Sequence, residues 1–134
     1  MKSYMNLLKI LSDETRLRIL NLFIKSRSDL CVCEIMDALK IPQYAVSKAL
    51  NQIKKAGLLS FSKEGTWVYY ELDYSSAQNK LLFEFLEKFF NDAKLNEDID
   101  RLNKRLKLRE NQKCVVGIIP EEDLFKLIKE KTRG

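Results

Sequence analysis

The chain has 134 residues, 46% hydrophobic and 32% charged, enough for one domain with its own core and ordinary for a soluble globular protein. Its net charge of +5 permits a nucleic-acid partner. It has no histidine and only four singly placed glycines, so it lacks the commonest general base, the commonest zinc ligand and any glycine-rich anion-binding loop; an enzyme is not expected.

No apolar run is long enough to span a bilayer, and Met1-Lys2-Ser3 leads directly into an amphipathic pattern, so a cytoplasmic location is expected. Three cysteines, an odd number without a secretion signal, point to reduced thiols with a chemical role rather than a disulfide framework.

Met5, Leu7, Leu8, Ile10 and Leu11 predict a short helix that is apolar on more than one side and must be buried under its own domain or a second copy. Ser12-Asp13-Glu14 is a helix-start signal, a capping hydroxyl followed by acids in the first turn. The helix it opens runs to about Ile24 through Leu17, Ile19, Leu20, Leu22 and Phe23, with Arg16 and Arg18 expected outward. Two further helical patterns follow, Ile35, Ala38, Leu39 and then Val46, Ala49, Leu50, Ile53, separated at Ile41-Pro42. Pro42 suits the start of the second, and Gly57 is placed to cap its end with φ > 0. This spacing is a helix-turn-helix, whose second helix can enter the DNA major groove.

Beyond Gly57 the periodicity changes. Leu58–Ser62 and Trp67–Leu72 have strand propensities and flank a turn at Lys63–Thr66, a β-hairpin wing; Trp67 and Tyr69 should share one face, Val68 and Tyr70 the other. Asp73–Ser76 is another helix-start signal. From Gln78, Leu81, Leu82, Phe85, Leu86, Phe89 and Phe90 imply a long helix with a broad buried face, and Leu95, Ile99, Leu102 and Leu106 continue the spacing until Asn111. Cys114–Pro120 is a short apolar extended segment, and Glu121–Lys131 a last helix. The expected fold is mainly α with one hairpin: a dimeric winged helix-turn-helix over 1–110, followed by a C-terminal extension, 111–134.

Several pieces stand in a recognisable order: Ser12–Leu20 (SDETRLRIL), Leu30–Ile35 (LCVCEI), Pro42-Gln43 with Val46-Ser47 and Leu50, Lys55–Leu58, and Glu64-Gly65 with Trp67-Val68 and Tyr70. From about Leu7 to Leu72 the chain resembles the ArsR/SmtB metalloregulatory repressors. The resemblance implies a winged-helix homodimer that represses an operon at an inverted repeat of double-stranded DNA and lets go when a toxic metal or metalloid binds. The Leu-Cys-Val-Cys piece is similar to the arsenic- and antimony-responsive branch, which implies As(III), or Sb(III) or another soft ion, as the regulatory ligand. The histidines of zinc-responsive members and the cysteines that cadmium and lead sensors carry before Cys31 are missing, and Met36 stands where some arsenic-responsive members have a third cysteine.

Under this resemblance Cys31 and Cys33 are the metal ligands, soft thiolates for a soft ion. Residues two apart in an ideal helix point about 200° away from each other, so both sulfurs can meet one ion only at a frayed helix start or in a distorted first turn. A ligand that prefers the distorted form would bias the helix away from its DNA-competent one. Cys114 could complete a trigonal set if its segment folds back, from the same chain or a partner, or it could simply pack among apolar neighbours. On the reading helix, Gln43, Tyr44, Ser47, Lys48, Asn51 and Gln52 form the polar side that would face bases, and Lys54, Lys55 and Lys63 are candidate phosphate contacts. The basic run Arg101, Lys104, Arg105, Lys107, Arg109 is expected to be solvated helix surface. A repressor of the same fold that senses oxidants or persulfides through these thiols is the competing expectation.

Overall fold

The computed structural model describes residues 1–133. Its elements are α1 (Lys2–Leu11), α2 (Glu14–Ser26), α3 (Val32–Leu39), α4 (Gln43–Lys55), β1 (Leu59–Glu64), β2 (Trp67–Leu72), α5 (Ala77–Phe89), α6 (Ala93–Leu106) and α7 (Glu121–Arg133). No helix among the described residues is long and apolar enough to cross a membrane.

The start signal before α2 acts one residue later than the sequence suggests. Asp13, in extended backbone, accepts the Arg16 N–H at 3.0 Å, whereas the Ser12 hydroxyl donates back to the Lys9 carbonyl and closes α1. α3 ends at Lys40, which adopts the left-handed conformation at φ 57°, and Pro42 caps α4 from extended backbone. α4 ends as predicted. Gly57 has φ 83°, its N–H donates to Lys54, and the Leu58 N–H donates to Ile53, the paired bonds of a Schellman turn.

In the antiparallel hairpin Leu59 pairs with Leu72 and Glu64 with Trp67. Lys63 and Glu64, expected in the turn, therefore lie in the ladder, and Gly65-Thr66 alone make the loop, with Gly65 at φ 61°. Leu30 exchanges two backbone hydrogen bonds of 2.9 Å with Tyr70, which fixes the residue before Cys31 against β2.

The core is assembled on α2: Ile19, Leu20, Leu22 and Phe23 pack with Ile35 and Leu39 of α3, Val46, Leu50 and Ile53 of α4, and Phe83 and Leu86 of α5. Each such side chain contributes about 1.5–3 kcal/mol by leaving water. The single long helix expected after Gln78 is instead two. The chain leaves α5 at Phe90 (ψ 108°), and the Asp92 carboxylate caps α6 by accepting the Lys94 and Leu95 N–H groups. The face of α5 also differs: Phe83, Leu86 and Phe90 are buried, while Leu81, Phe85 and Phe89 are exposed. Leu7, Ile10 and Leu11 of α1 pack on the core, leaving Met5 and Leu8 in solvent.

After α6, Glu110 and Lys113 exchange backbone hydrogen bonds around Asn111 and Gln112, both at positive φ. The turn aims Cys114 back toward α3. The 114–120 segment forms neither helix nor strand.

Candidate functional site

Cys31 is the residue that decides how the thiols meet. It is the N-cap of α3, in extended backbone (φ −92°, ψ 160°), not a residue of the helix. The 200° separation expected within a helix therefore does not arise, and Cys31 and Cys33 face one buried cluster with Cys114, Tyr69 and Trp67. Of the two arrangements expected to let both sulfurs meet one ion, the helix start is the one present, and no distorted first turn is needed. Cys114 comes from the same chain, and its Sγ lies 3.6 Å from Cys33 Sγ. Two sulfurs bound tetrahedrally to one ion, each at the ~2.3 Å of a zinc–thiolate bond, stand roughly 3.7 Å apart, so the pair is already at bridging distance. Cys31, Glu34 and Cys114 place one donor atom each within 4.8 Å of one another.

The surroundings fix both the backbone and the charge of the cluster. The Glu34 carboxylate accepts the Cys31 N–H at 3.0 Å, and the Cys114 N–H donates to the Tyr69 hydroxyl at 2.9 Å. Hydrogen bonds from the Cys31 and Cys33 thiols hold the Cys114 sulfur far below the usual thiol range, with Arg105 and Arg109 adding their charge. Hydrogen bonds with Cys114 and Cys33, then burial, push the Cys31 thiol upward.

Arg101, Arg105 and Arg109 recur at every fourth residue and form the inner face of this region, not the solvated surface expected of them. Arg101 donates to the Ala38 carbonyl at 2.6 Å and to Asp98 at 2.7 Å. Arg105 is 1% exposed and donates to Asp37 and to the Val116 carbonyl, each at 2.6 Å. Arg109 grips Glu34 with two 2.7 Å bonds and the Asp29 carbonyl with a third. Arg18, also expected outward, is forked onto buried Asp98 and bonds the Leu39 carbonyl at 3.0 Å. Cations thus satisfy the carbonyl end of α3, where its dipole favours them. Arg16 is likewise tethered, to the carbonyls of Lys9 and Ile10 and to Gln52.

Sequence patterning missed Glu34, Tyr69, Arg105 and Arg109 as parts of the site. The available signal was the four-residue spacing of the arginines, which places them on one helical face. Met36 packs against the core and does not join the thiols.

Gln43, Tyr44, Ser47, Lys48 and Asn51 are exposed on α4, Tyr44 at 77%. Gln52 differs from expectation: it is half-buried and its side-chain carbonyl accepts from Arg16 at 3.0 Å. Lys54 is half-buried, its ammonium 4.7 Å from the centre of the Phe61 ring. Lys55 is exposed at the helix end, and Lys63 is exposed on the wing. The one acid between Ile41 and Gly65, Glu64, is bonded to Lys113 at 2.5 Å.

A helix pair presenting one polar helix beside a lysine-bearing hairpin defines a winged helix-turn-helix transcriptional regulator. The family model described as "Bacterial regulatory protein, arsR family" matches residues 13–60. The chain is 50% identical over 62 residues to the uncharacterized HTH-type transcriptional regulator MJ1325 of Methanocaldococcus jannaschii, covering 46% of this chain and 68% of that one. It is 44% identical over 66 residues to the arsenical resistance operon repressor of Escherichia coli, covering 49% of this chain and 56% of that one, little more than half its length. Reduced HlyU from Vibrio cholerae superposes with a TM-score of 0.58 at 31% identity, over 68% of this chain and 92% of that one. The protein belongs to the arsR family; it is a transcriptional regulator and not an enzyme.

Proposed function

We propose that the protein is a homodimeric repressor that binds an inverted-repeat operator through α4 and the wing, and releases it when As(III) is ligated by Cys31, Cys33 and Cys114. The observation that carries this is the meeting of three sulfurs, drawn from both ends of the chain, at the start of the helix packed behind α4. Three thiolates balance the charge of a trivalent soft ion, and a buried, water-poor site suits it. Antimonite fits the same donors.

Gln43, Ser47 and Asn51 offer amide and hydroxyl groups to base edges, and Lys48 a cation to guanine or phosphate; Lys55 and Lys63 fit phosphate contacts. Tyr44 is exposed beside them. Gln52 and Lys54 contribute less directly, since each is held by an intramolecular partner.

The ligand acts on DNA affinity only through a difference in how the free and operator-bound forms hold the sulfurs. In this reading α3 transmits that difference: its start carries Cys31 and Cys33, and its apolar face, Ile35, Ala38 and Leu39, shares the core with α4. Exposed Met5, Leu8, Leu81, Phe85 and Phe89 supply the apolar surface for a second copy, with Phe85 and Phe89 stacked at 5.2 Å.

The test is anisotropy of a labelled promoter fragment titrated with protein, with and without arsenite. Salt-dependent binding that arsenite reverses at stoichiometric amounts supports the proposal. Binding unaffected by arsenite removes As(III) as the ligand.

The 3.6 Å approach of Cys33 and Cys114 also favours a second reading, disulfide formation. Hydrogen peroxide would take two electrons and two protons from the thiols, giving one S–S bond and two waters. Closing to the ~2.05 Å of a disulfide requires a shift of about 1.5 Å. Release by peroxide but not by arsenite would select this reading.

A further inference from the structure

The cluster contains a fourth donor that the three-sulfur description leaves out. We infer that the Glu34 carboxylate, grouped within 4.8 Å with the Cys31 and Cys114 sulfurs, is the ligand that lets this site hold a divalent soft ion in a three-sulfur-one-oxygen set, the third sulfur being Cys33, 3.6 Å from Cys114. The inference rests on the thiol site proposed above and adds its selectivity.

Glu34 is fully buried, and its position follows from its place in the chain. As the third residue of α3 it reaches back to the N-cap, so its carboxylate returns to the Cys31 N–H and stands beside the Cys31 sulfur. A carboxylate offers about four lone-pair positions. Three are used: one oxygen accepts from Cys31 N and Arg109 Nη2, the other from Arg109 Nε. One position on the second oxygen remains, so Glu34 can bind an ion and keep Arg109.

Charge and geometry then separate two classes of ligand. A trivalent ion with three thiolates is neutral and three-coordinate, and has no need of Glu34. A divalent ion such as cadmium or zinc prefers four donors, and three thiolates with one carboxylate leave it two charges negative. Arg105 and Arg109 flank the cluster; Arg109 already bonds Glu34, and Arg105 the Val116 carbonyl that lies 3.4 Å from the Cys114 sulfur.

The test uses the full-length protein loaded with cadmium(II) or with arsenite, read by X-ray absorption at the cadmium or arsenic edge. Cadmium should show three sulfurs and one oxygen, arsenic three sulfurs alone. Glu34→Gln should lose the oxygen shell and bind cadmium roughly ten-fold or more weakly. A cadmium shell of sulfur only in the wild type overturns the inference, whatever the variant does. An oxygen that persists in Glu34→Gln at unchanged cadmium affinity shows that the carboxylate is not the ligand and also overturns it. Arsenite bound by fewer than three sulfurs instead contradicts the underlying thiol site.

Discussion

Arg105 ties α6 to Asp37 of α3 and to the returning segment at Val116 and Gly117. Its side chain is 1% exposed and holds Asp37 on one side and the backbone of Val116 and Gly117 on the other. Arg105→Ala would leave Asp37 and two carbonyls without their partner, and should cost about 3–5 kcal/mol in denaturant unfolding; a loss below about 1 kcal/mol would mean the strut is solvated. On the DNA side, Lys48→Ala and Gln43→Ala should each weaken operator binding by about 1–3 kcal/mol with unfolding unchanged, measured by anisotropy. Equal affinities would take α4 off the DNA. Apolar positions such as Val46, Leu50 and Ile53 were legible in the sequence because hydrophobic spacing alone determines their burial. The arginines were not, because charge type does not reveal a partner, and Asp37, Glu34 and Asp98 lie on other elements or turns.

At the scale of elements, the helix-turn-helix and wing were legible from local signals: Pro42, Gly57 and the alternation that sets Trp67 and Tyr69 toward the thiols. The break between α5 and α6 was not, because apolar spacing continues across it and a single Asp92 is a weak stop signal within such a pattern. Asp92→Ala should lower stability by about 1 kcal/mol, the usual cost of a lost cap, in a thermal or denaturant melt; no change would show that the break needs no cap. The return of the 110–117 segment depends on two positive-φ residues, Asn111 and Gln112, and on Tyr69, whose hydroxyl receives the Cys114 N–H. Sequence reading could place Cys114 in an extended segment but not beside Cys33, since chain distance carries no information on folding back. Cys114→Ser should leave promoter binding intact and weaken arsenite binding, read from Trp67, the only tryptophan, which packs on the cluster. An unchanged titration would make Cys114 a packing residue.

On the scale of the whole molecule, an apolar surface, a polar reading surface and a thiol cluster act together. The exposed Phe85–Phe89 stack is apolar surface that a second copy would cover. Phe85→Glu should convert a dimer into a monomer in sedimentation and reduce operator affinity, because two half-sites need two reading helices on a two-fold axis; a dimer that survives the substitution would place the interface elsewhere. The switch is tested most directly by arsenite titration of the operator complex formed by the Cys31→Ser, Cys33→Ser double variant beside the wild type. Serine keeps the size of the side chain but offers a hard, protonated oxygen in place of a soft thiolate. Wild type should leave the DNA as arsenite is added, and the double variant should stay bound across the same range. If arsenite frees the DNA from the double variant as readily as from wild type, the sensing site lies elsewhere and the thiol cluster at the start of α3 is not the switch.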